Sequence, residues 1–324
     1  MKSLLLSLAL GFIAFPLFAD PLPSWQDTET KARIIAFVED VTDPSSENYV
    51  IPADRIATFD NDGNLWAEKP VYFQLIFAID RVSQLAAADP SIARSDALKA
   101  AAARDYEAVI KSGKEGLIEV MALSHTGLGT EDFIAAAKSW LDSAVHPQTG
   151  LRYRDMTYQP MVELLRYLRD EDFQTFIVSG GGIHFIRAYA EEAYGIPPQN
   201  VVGSQTVNRY DVVDGVPVIV KEPEIFFVDD KVGKPVGIDT HIGKRPIIAS
   251  GNSDSDFQML EYTAAGDGPR LGLLLHHTDA EREFAYDRDG HVGVLSLGLD
   301  EGPGRGWLVI DMARDWRRIY TAGP

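Results

Sequence analysis

The stretch Ile56-Ala57-Thr58-Phe59-Asp60-Asn61-Asp62-Gly63-Asn64-Leu65-Trp66 decides the reading of this chain. An apolar, strand-like run stops at two carboxylates spaced i, i+2, and Gly63 then breaks the extended pattern. Buried carboxylates repel each other and resist desolvation, so a strand end that holds two of them normally holds a cation as well. The arrangement suits nucleophilic attack by one carboxylate and proton transfer by the other, beside a metal. The competing reading is a polar turn after a strand, where Asn, Asp and Gly are favoured for ordinary reasons. Taken alone, the stretch leaves both open.

Outward from it, the periodicity organises the chain. Asp27–Val41 reads as an amphipathic helix. From Trp66 to His146 the pattern is helical throughout, with runs at Val71–Ala88, Ala97–Ile110 and Thr130–Leu141, the last with Thr130 as its N-cap. Strand–helix alternation then resumes: helix Pro160–Leu168, strand Phe173–Val178, helix Ile183–Ala193, and a hairpin within Val201–Val220 that turns at Asp214-Gly215. Helix Pro235–Ile242, strand Ile247–Ala249, a helix from Ser255 and strand Leu271–Leu275 follow, and Thr278-x-x-Glu281 has the form of a capping box opening another helix. The expected architecture is α/β: a Rossmann-like core with a parallel sheet flanked by helices, plus an inserted all-helical cap. The core is assigned to residues 20–65 and 157–324, and the cap to 66–156, leaving the core directly after the Asp60/Asp62 turn.

Three later segments put polar groups at the ends of expected core strands. Phe176-Ile-Val-Ser179-Gly180-Gly181-Gly182 offers a hydroxyl and backbone N–H groups to an anion. Lys234, before Pro235, can reach inward as a point charge, with Lys231 and Lys244 competing for the role. Gly251-Asn252-Ser253-Asp254-Ser255-Asp256 ends a strand in oxygen donors without His or Cys, which suits Mg²⁺ rather than zinc. Adjacent His276 and His277 point to opposite faces of a strand and read as structural. Trp66, Tyr72 and Phe73 read as packing in the cap rather than as substrate contacts.

Together these segments resemble the haloacid dehalogenase-like hydrolases, most closely the phosphoserine-phosphatase-like branch with a helical cap. The first motif matches Asp60 and Asp62, the second Ser179 with Gly180, the third Lys234, and the fourth Gly251 to Asp256. The resemblance implies that Asp60 is the nucleophile and Asp62 the general acid and base. It implies that Ser179, Gly180 and Lys234 hold the phosphoryl group, and that Asp60, Asp62, Asn252 and Asp256 form the Mg²⁺ site. Asn252 departs from the pattern, because Asp is usual there; Asp254 is the alternative donor. Asn64 stands where Thr or Val is commoner.

Composition bounds the partners. The 324-residue chain carries a formal charge of −18 with 45% hydrophobic and 24% charged residues and no cysteine. A real core is expected without disulfides, nucleic acid is excluded as a partner by charge, and an anionic substrate needs a local positive patch. Lys2, the apolar run Leu4–Phe15 and Ala19 read as a cleavable signal peptide over residues 1–19, cut after Ala19. Its removal takes the formal charge to −19, since Lys2 is its one charged residue. The expected product is a periplasmic or secreted Mg²⁺-dependent phosphatase acting on a small phosphorylated metabolite, without stable membrane association. Two alternatives remain at this level: a non-catalytic phosphate-ligand binding protein, motivated by Asn252, and a metal-independent haloacid dehalogenase, against which Asp62 argues. The sequence gives no oligomeric state.

Overall fold

A computed structural model describes residues 20–322, so the expected signal peptide lies outside the described residues. Seven strands, β1 (Ile56–Phe59), β2 (Gln174–Gly182), β3 (Val201–Val213), β4 (Val216–Phe227), β5 (Ile248–Gly251), β6 (Leu271–His276) and β7 (Leu308–Asp311), form one sheet. Their order is β4-β3-β2-β1-β5-β6-β7, and every neighbouring pair is parallel except β3–β4. β1 is buried along its whole length, as a central strand covered on both faces must be. From β1 the chain builds outward through β2 and β3, then returns to the other side of β1 for β5 and β6. The crevice between β1 and β5 is therefore the point where strand order reverses, and ligands bind at such points. Asp60 leaves β1 there and Asn252 leaves β5.

Between β1 and β2 lie the helices Phe73–Ala88, Asp96–Ala102, Tyr106–Lys111, Gly113–His125 and Thr130–Ser143. The first four share a small apolar cluster of their own, including Ile79, Val82, Leu98, Val109 and Val120. Phe77, Phe133 and Trp140 belong instead to the main core, so this block is packed onto the sheet domain rather than tethered to it. The loop before the last of these helices also bonds to the hairpin: Gly127 N–H donates to Lys221 O (3.1 Å) and Lys221 N–H to Leu128 O (3.0 Å).

Several local expectations are corrected. The Ala97–Ile110 run is two helices, broken where Arg104 adopts φ 57°. Gly129 rather than Thr130 is the N-cap, and no side chain caps that helix. The 183–193 segment is likewise split, into Ile183–Arg187 and Ala190–Tyr194. β2 does not stop at Val178: it runs through the glycines to Gly182, with a register shift against β3 between Ser179 and Gly182. Thr278-x-x-Glu281 opens no helix. The Thr278 hydroxyl donates to Asp311 Oδ1 (2.6 Å), and Asp279 Oδ1 accepts the Glu281 and Arg282 N–H groups in a local turn. The expected hairpin turn is present, with Asp214 and Gly215 at φ 52° and 81°, as a primed turn requires.

Candidate active site

Lys234, in the helix Gly233–His241, is 1% exposed and reaches across to β1. Its Nζ lies 2.7 Å from Asp60 Oδ1 and 2.8 Å from Asp256 Oδ1, and donates to Val178 O (2.8 Å). Asp256 Oδ2 accepts the Asn252 and Ser253 N–H groups (3.0 Å each) and the Ser253 hydroxyl (3.1 Å). Both oxygens of Asp256 are thus engaged in orienting the lysine and shaping the loop after β5. The competing lysines lie elsewhere: Lys244 pairs with Asp54 on the surface, and Lys231 is exposed. Asp254 is spent on the N–H groups of Ser296, Leu297 and Gly298, which leaves Asn252 as the candidate donor from the loop after β5.

Burial presses the carboxyls of this crevice toward their neutral forms. Burial pushes the Asp60 carboxyl up to about 8, and the Asp256 charge adds to the rise against the pull of Lys234. Burial also raises Asp229 to about 7, and Asp62 above its ordinary value. Burial would lower Lys234, but the charges of Asp256 and Asp60 outweigh it and hold the lysine protonated. Lys234 alone faces these carboxyls, so a second cation bound beside them would favour their ionised forms.

Asn252 offers a candidate oxygen donor for such a cation. Its Nδ2 donates to Glu68 Oε1 (2.9 Å), and its Oδ1 is buried without a hydrogen-bond partner. Glu68 is itself buried, accepts from Tyr286 Oη (2.7 Å), and is raised to about 7 by burial. Gly63, at φ 73°, makes room for this contact, since a Cβ there would collide with both side chains. An orphaned amide oxygen, the Asp60 carboxylate and the Asp62 backbone carbonyl make a hard oxygen donor set that fits Mg²⁺. Among the described residues no three His, Cys, Asp or Glu side chains converge as a metal cage, so the carboxylates of Asp60, Asp62 and Asp256 do not form one together.

The remaining groups are positioned from outside the motifs. Asp62 Oδ1 accepts from Trp66 Nε1 (2.8 Å), and the indole is locked by stacking on Tyr189 at 4.3 Å. His277 Nε2 donates to Gly63 O (2.7 Å), while His276 sits beside Asp287 on the other face. Asn64 donates to Asp60 O (3.0 Å) and accepts from Ser250 Oγ (2.9 Å), tying the ends of β1 and β5 together. Ser179 is 1% exposed, and its Oγ accepts from Gly181 N–H (3.1 Å). Asp60, Asp62, Ser179, Gly180 and Lys234 all line one pocket of about 340 Å³. Phe73 is fully buried, whereas Tyr72 also lines this pocket, unlike the pure packing role read from sequence.

Gln74 and His125 were not singled out by sequence. Gln74 Oε1 accepts from Gly182 N–H (2.7 Å), so its amide nitrogen faces His125 Nε2 (2.9 Å), and His125 Nδ1 faces Ser124 Oγ (2.6 Å). Gly182 N–H is therefore not free for an anion. The chain requires a neutral imidazole, and burial lowers His125 to about 3. With a folded value below the unfolded one near 6.5, the unfolded state binds the extra proton as pH falls, and stability is lost below about 6.5. The stability difference between the wild type and His125→Gln should therefore change with pH, approaching about 1.4 kcal/mol per pH unit as pH falls from roughly 6.5 to 5 in urea unfolding. Equal slopes would mean that His125 is not held neutral.

The site thus defines a hydrolase class built on a strand-terminal aspartate pair. A family model for haloacid dehalogenase-like hydrolases matches residues 57–261, and the chain belongs to that family. A conserved protein of unknown function from Anaerococcus prevotii DSM 20548 is similar at TM-score 0.55 and 16% identity, covering 81% of this chain and 89% of that one. A protein of unknown function from Bordetella pertussis Tohama I is similar at TM-score 0.50 and 17% identity, covering 79% and 98%. Both likenesses concern the fold alone. A phosphoserine phosphohydrolase-like protein from Francisella tularensis subsp. tularensis SCHU S4 gives TM-score 0.38 at 17% identity, covering 69% and 88%. No curated protein matches the chain.

Proposed function

We propose that the protein is an exported, Mg²⁺-dependent phosphatase that hydrolyses small-molecule phosphate monoesters through an aspartyl-phosphate on Asp60. The observation that carries this reading is Lys234 pinning one oxygen of Asp60 at the end of β1, while Trp66 holds Asp62 at the same pocket. Asp60 attacks phosphorus, and the ester P–O bond breaks. Asp62, its pKa raised chiefly by burial, gives its proton to the departing alkoxide. A water then attacks the aspartyl-phosphate, Asp62 takes its proton, and the P–O bond to Asp60 breaks to release phosphate. Ser179 and Gly180 bind phosphoryl oxygens, and Lys234 offsets their charge.

Asp60, the Asp62 carbonyl and Asn252 Oδ1 would hold Mg²⁺, with Asp256 ordering the loop behind it. Bound there, the cation would screen the ester from the carboxylates and keep Asp60 ionised. Export is supported by the run Leu4–Phe15 and Ala19. Phosphate release from a panel of monoesters should require Mg²⁺ and stop on chelation. Tight ligand binding without turnover would point to the non-catalytic alternative, and chelator-resistant action on a haloacid to the dehalogenase.

Glu68 supplies the charge that Asn252 lacks, one residue removed from the cation. Glu68→Ala frees the Asn252 amide to rotate and is expected to weaken Mg²⁺ binding about 10–100-fold by calorimetry. Unchanged affinity would detach Glu68 from the site.

A further inference from the structure

Beside the phosphoryl pocket lies a second chamber of about 690 Å³, between the cap helix Gly113–His125 and the β3–β4 hairpin. Gln74, Leu117, Met121, Gly180 and Val228 line both spaces, so they are contiguous. The two differ in chemistry. Asp60, Asp62, Glu68 and Asp230 line the first, whereas no Asp or Glu lines the second. Its walls are apolar, with Ile110, Leu117, Ile118, Met121 and Ile225, and its charged groups are Lys111, Lys114 and Lys221. In a chain of net charge −18, an acid-free chamber of this size is a selective feature.

Lys221 is the decisive residue. It is 4% exposed, and its backbone is bonded in both directions to the cap loop, which fixes where the side chain starts. Its Nζ donates to His184 Nδ1 (3.2 Å) and Thr206 Oγ1 (3.3 Å), with the Phe133 ring centre 5.1 Å away. No carboxylate pairs with it among the described residues, and His184 is held neutral by burial and by the lysine's own charge. Burial without a counter-ion lowers Lys221 to about 8. A buried ammonium costs stability unless an anion pairs with it, and with no carboxylate beside Lys221 that place is open to an anionic group of a ligand.

We propose that this chamber holds the leaving group, and that the substrate class is a monophosphate of a long, apolar-bodied alcohol ending in a second anionic group that pairs with Lys221. This rests on the phosphatase reading for its reaction, though not for its binding. The volume suits a ligand of that kind, since sites for such molecules span roughly 300–1,000 Å³ and are mostly apolar with few placed polar groups. The acidic pocket takes the phosphoryl end and its cation, and the basic chamber takes the other end. The opposite polarities fix the direction in which the ester enters.

The test compares n-alkyl monophosphates of graded length with their ω-carboxy and ω-phospho counterparts, in Mg²⁺, as a ratio of kcat/KM within each protein. In the wild type the anionic ester of matching length should exceed its plain counterpart by about tenfold to a hundredfold, chiefly through KM. The ratio should collapse toward one in Lys221→Met and persist in Lys221→Arg. A ratio cancels differences in the folded fraction of each variant. The ω-carboxy and ω-phospho arms decide which anion the lysine receives. A wild-type ratio near one, or a ratio that survives Lys221→Met, overturns the proposal. If no ester is hydrolysed, the phosphatase reading falls, and calorimetry with ω-hydroxycarboxylates against plain alkanols decides the chamber. Binding that needs both the carboxylate and Lys221 upholds the chamber, and binding indifferent to them overturns it.

Discussion

Asp60→Asn is expected to abolish phosphate release, by about 10⁴-fold or more, while the protein stays folded. The amide has the shape of the carboxylate but cannot attack phosphorus, so the loss belongs to the chemical step. The fold should tolerate the change. Asp60 is buried and its carboxyl is pushed up to about 8, so an ionised Asp60 is a strained member of the folded state at neutral pH. A neutral amide relieves that strain, and Lys234 keeps Asp256 at 2.8 Å as its counter-ion. Urea unfolding in chelator should therefore show the variant as stable as the wild type, or more so. Full activity in this variant would remove Asp60 from the role of nucleophile.

Lys234→Met is expected to give the largest loss of stability. It takes away the cation that faces Asp60 and Asp256 and lowers Asp229 by its charge, leaving buried carboxyls uncompensated. Breaking a buried pair from one side costs about 3–5 kcal/mol. The loss has a defined pH dependence. Carboxyls whose folded pKa lies above the unfolded value near 4 bind protons in the folded state first, so stability falls as pH rises through that window. The deficit relative to the wild type should be small at pH 5 and large at pH 8 when both are unfolded in chelator. A deficit that is small and flat with pH would show that Lys234 is not the counter-ion of this cluster.

The crevice was legible in the sequence because its parts are local. A buried run ending in Asp-Asn-Asp-Gly, a second ending in Ser-Gly-Gly and a third ending in Gly-Asn-Ser-Asp each state their own strand end, and a parallel sheet gathers such ends on one side. Lys234 was legible for a related reason, being set at a helix start, while Lys231 and Lys244 had only their charge. Glu68 was not legible. Its partners Asn252 and Tyr286 lie 184 and 218 residues away, and nothing near Glu68 distinguishes it from a surface acid. Trp66 could be read as buried but not as the donor to Asp62, since that bond depends on the turn at Gly63. Thr278-x-x-Glu281 misled because the same hydroxyl finds Asp311 on β7, a tertiary partner that displaces the local cap. Lys221 looked like one strand residue among many, because its isolation from carboxylates exists only once the cap has closed on the hairpin.

The central claim is that Asp60 carries the phosphoryl group during turnover. The wild-type protein, mixed with a hydrolysed monoester and Mg²⁺, should be quenched in acid during steady state and digested, and the peptide containing Asp60 examined by mass spectrometry. The account predicts a phosphoryl group on Asp60 in the wild type, absent without Mg²⁺ and absent in Asp60→Asn. Steady turnover with that peptide unmodified, or with the phosphoryl group on another residue, would contradict it.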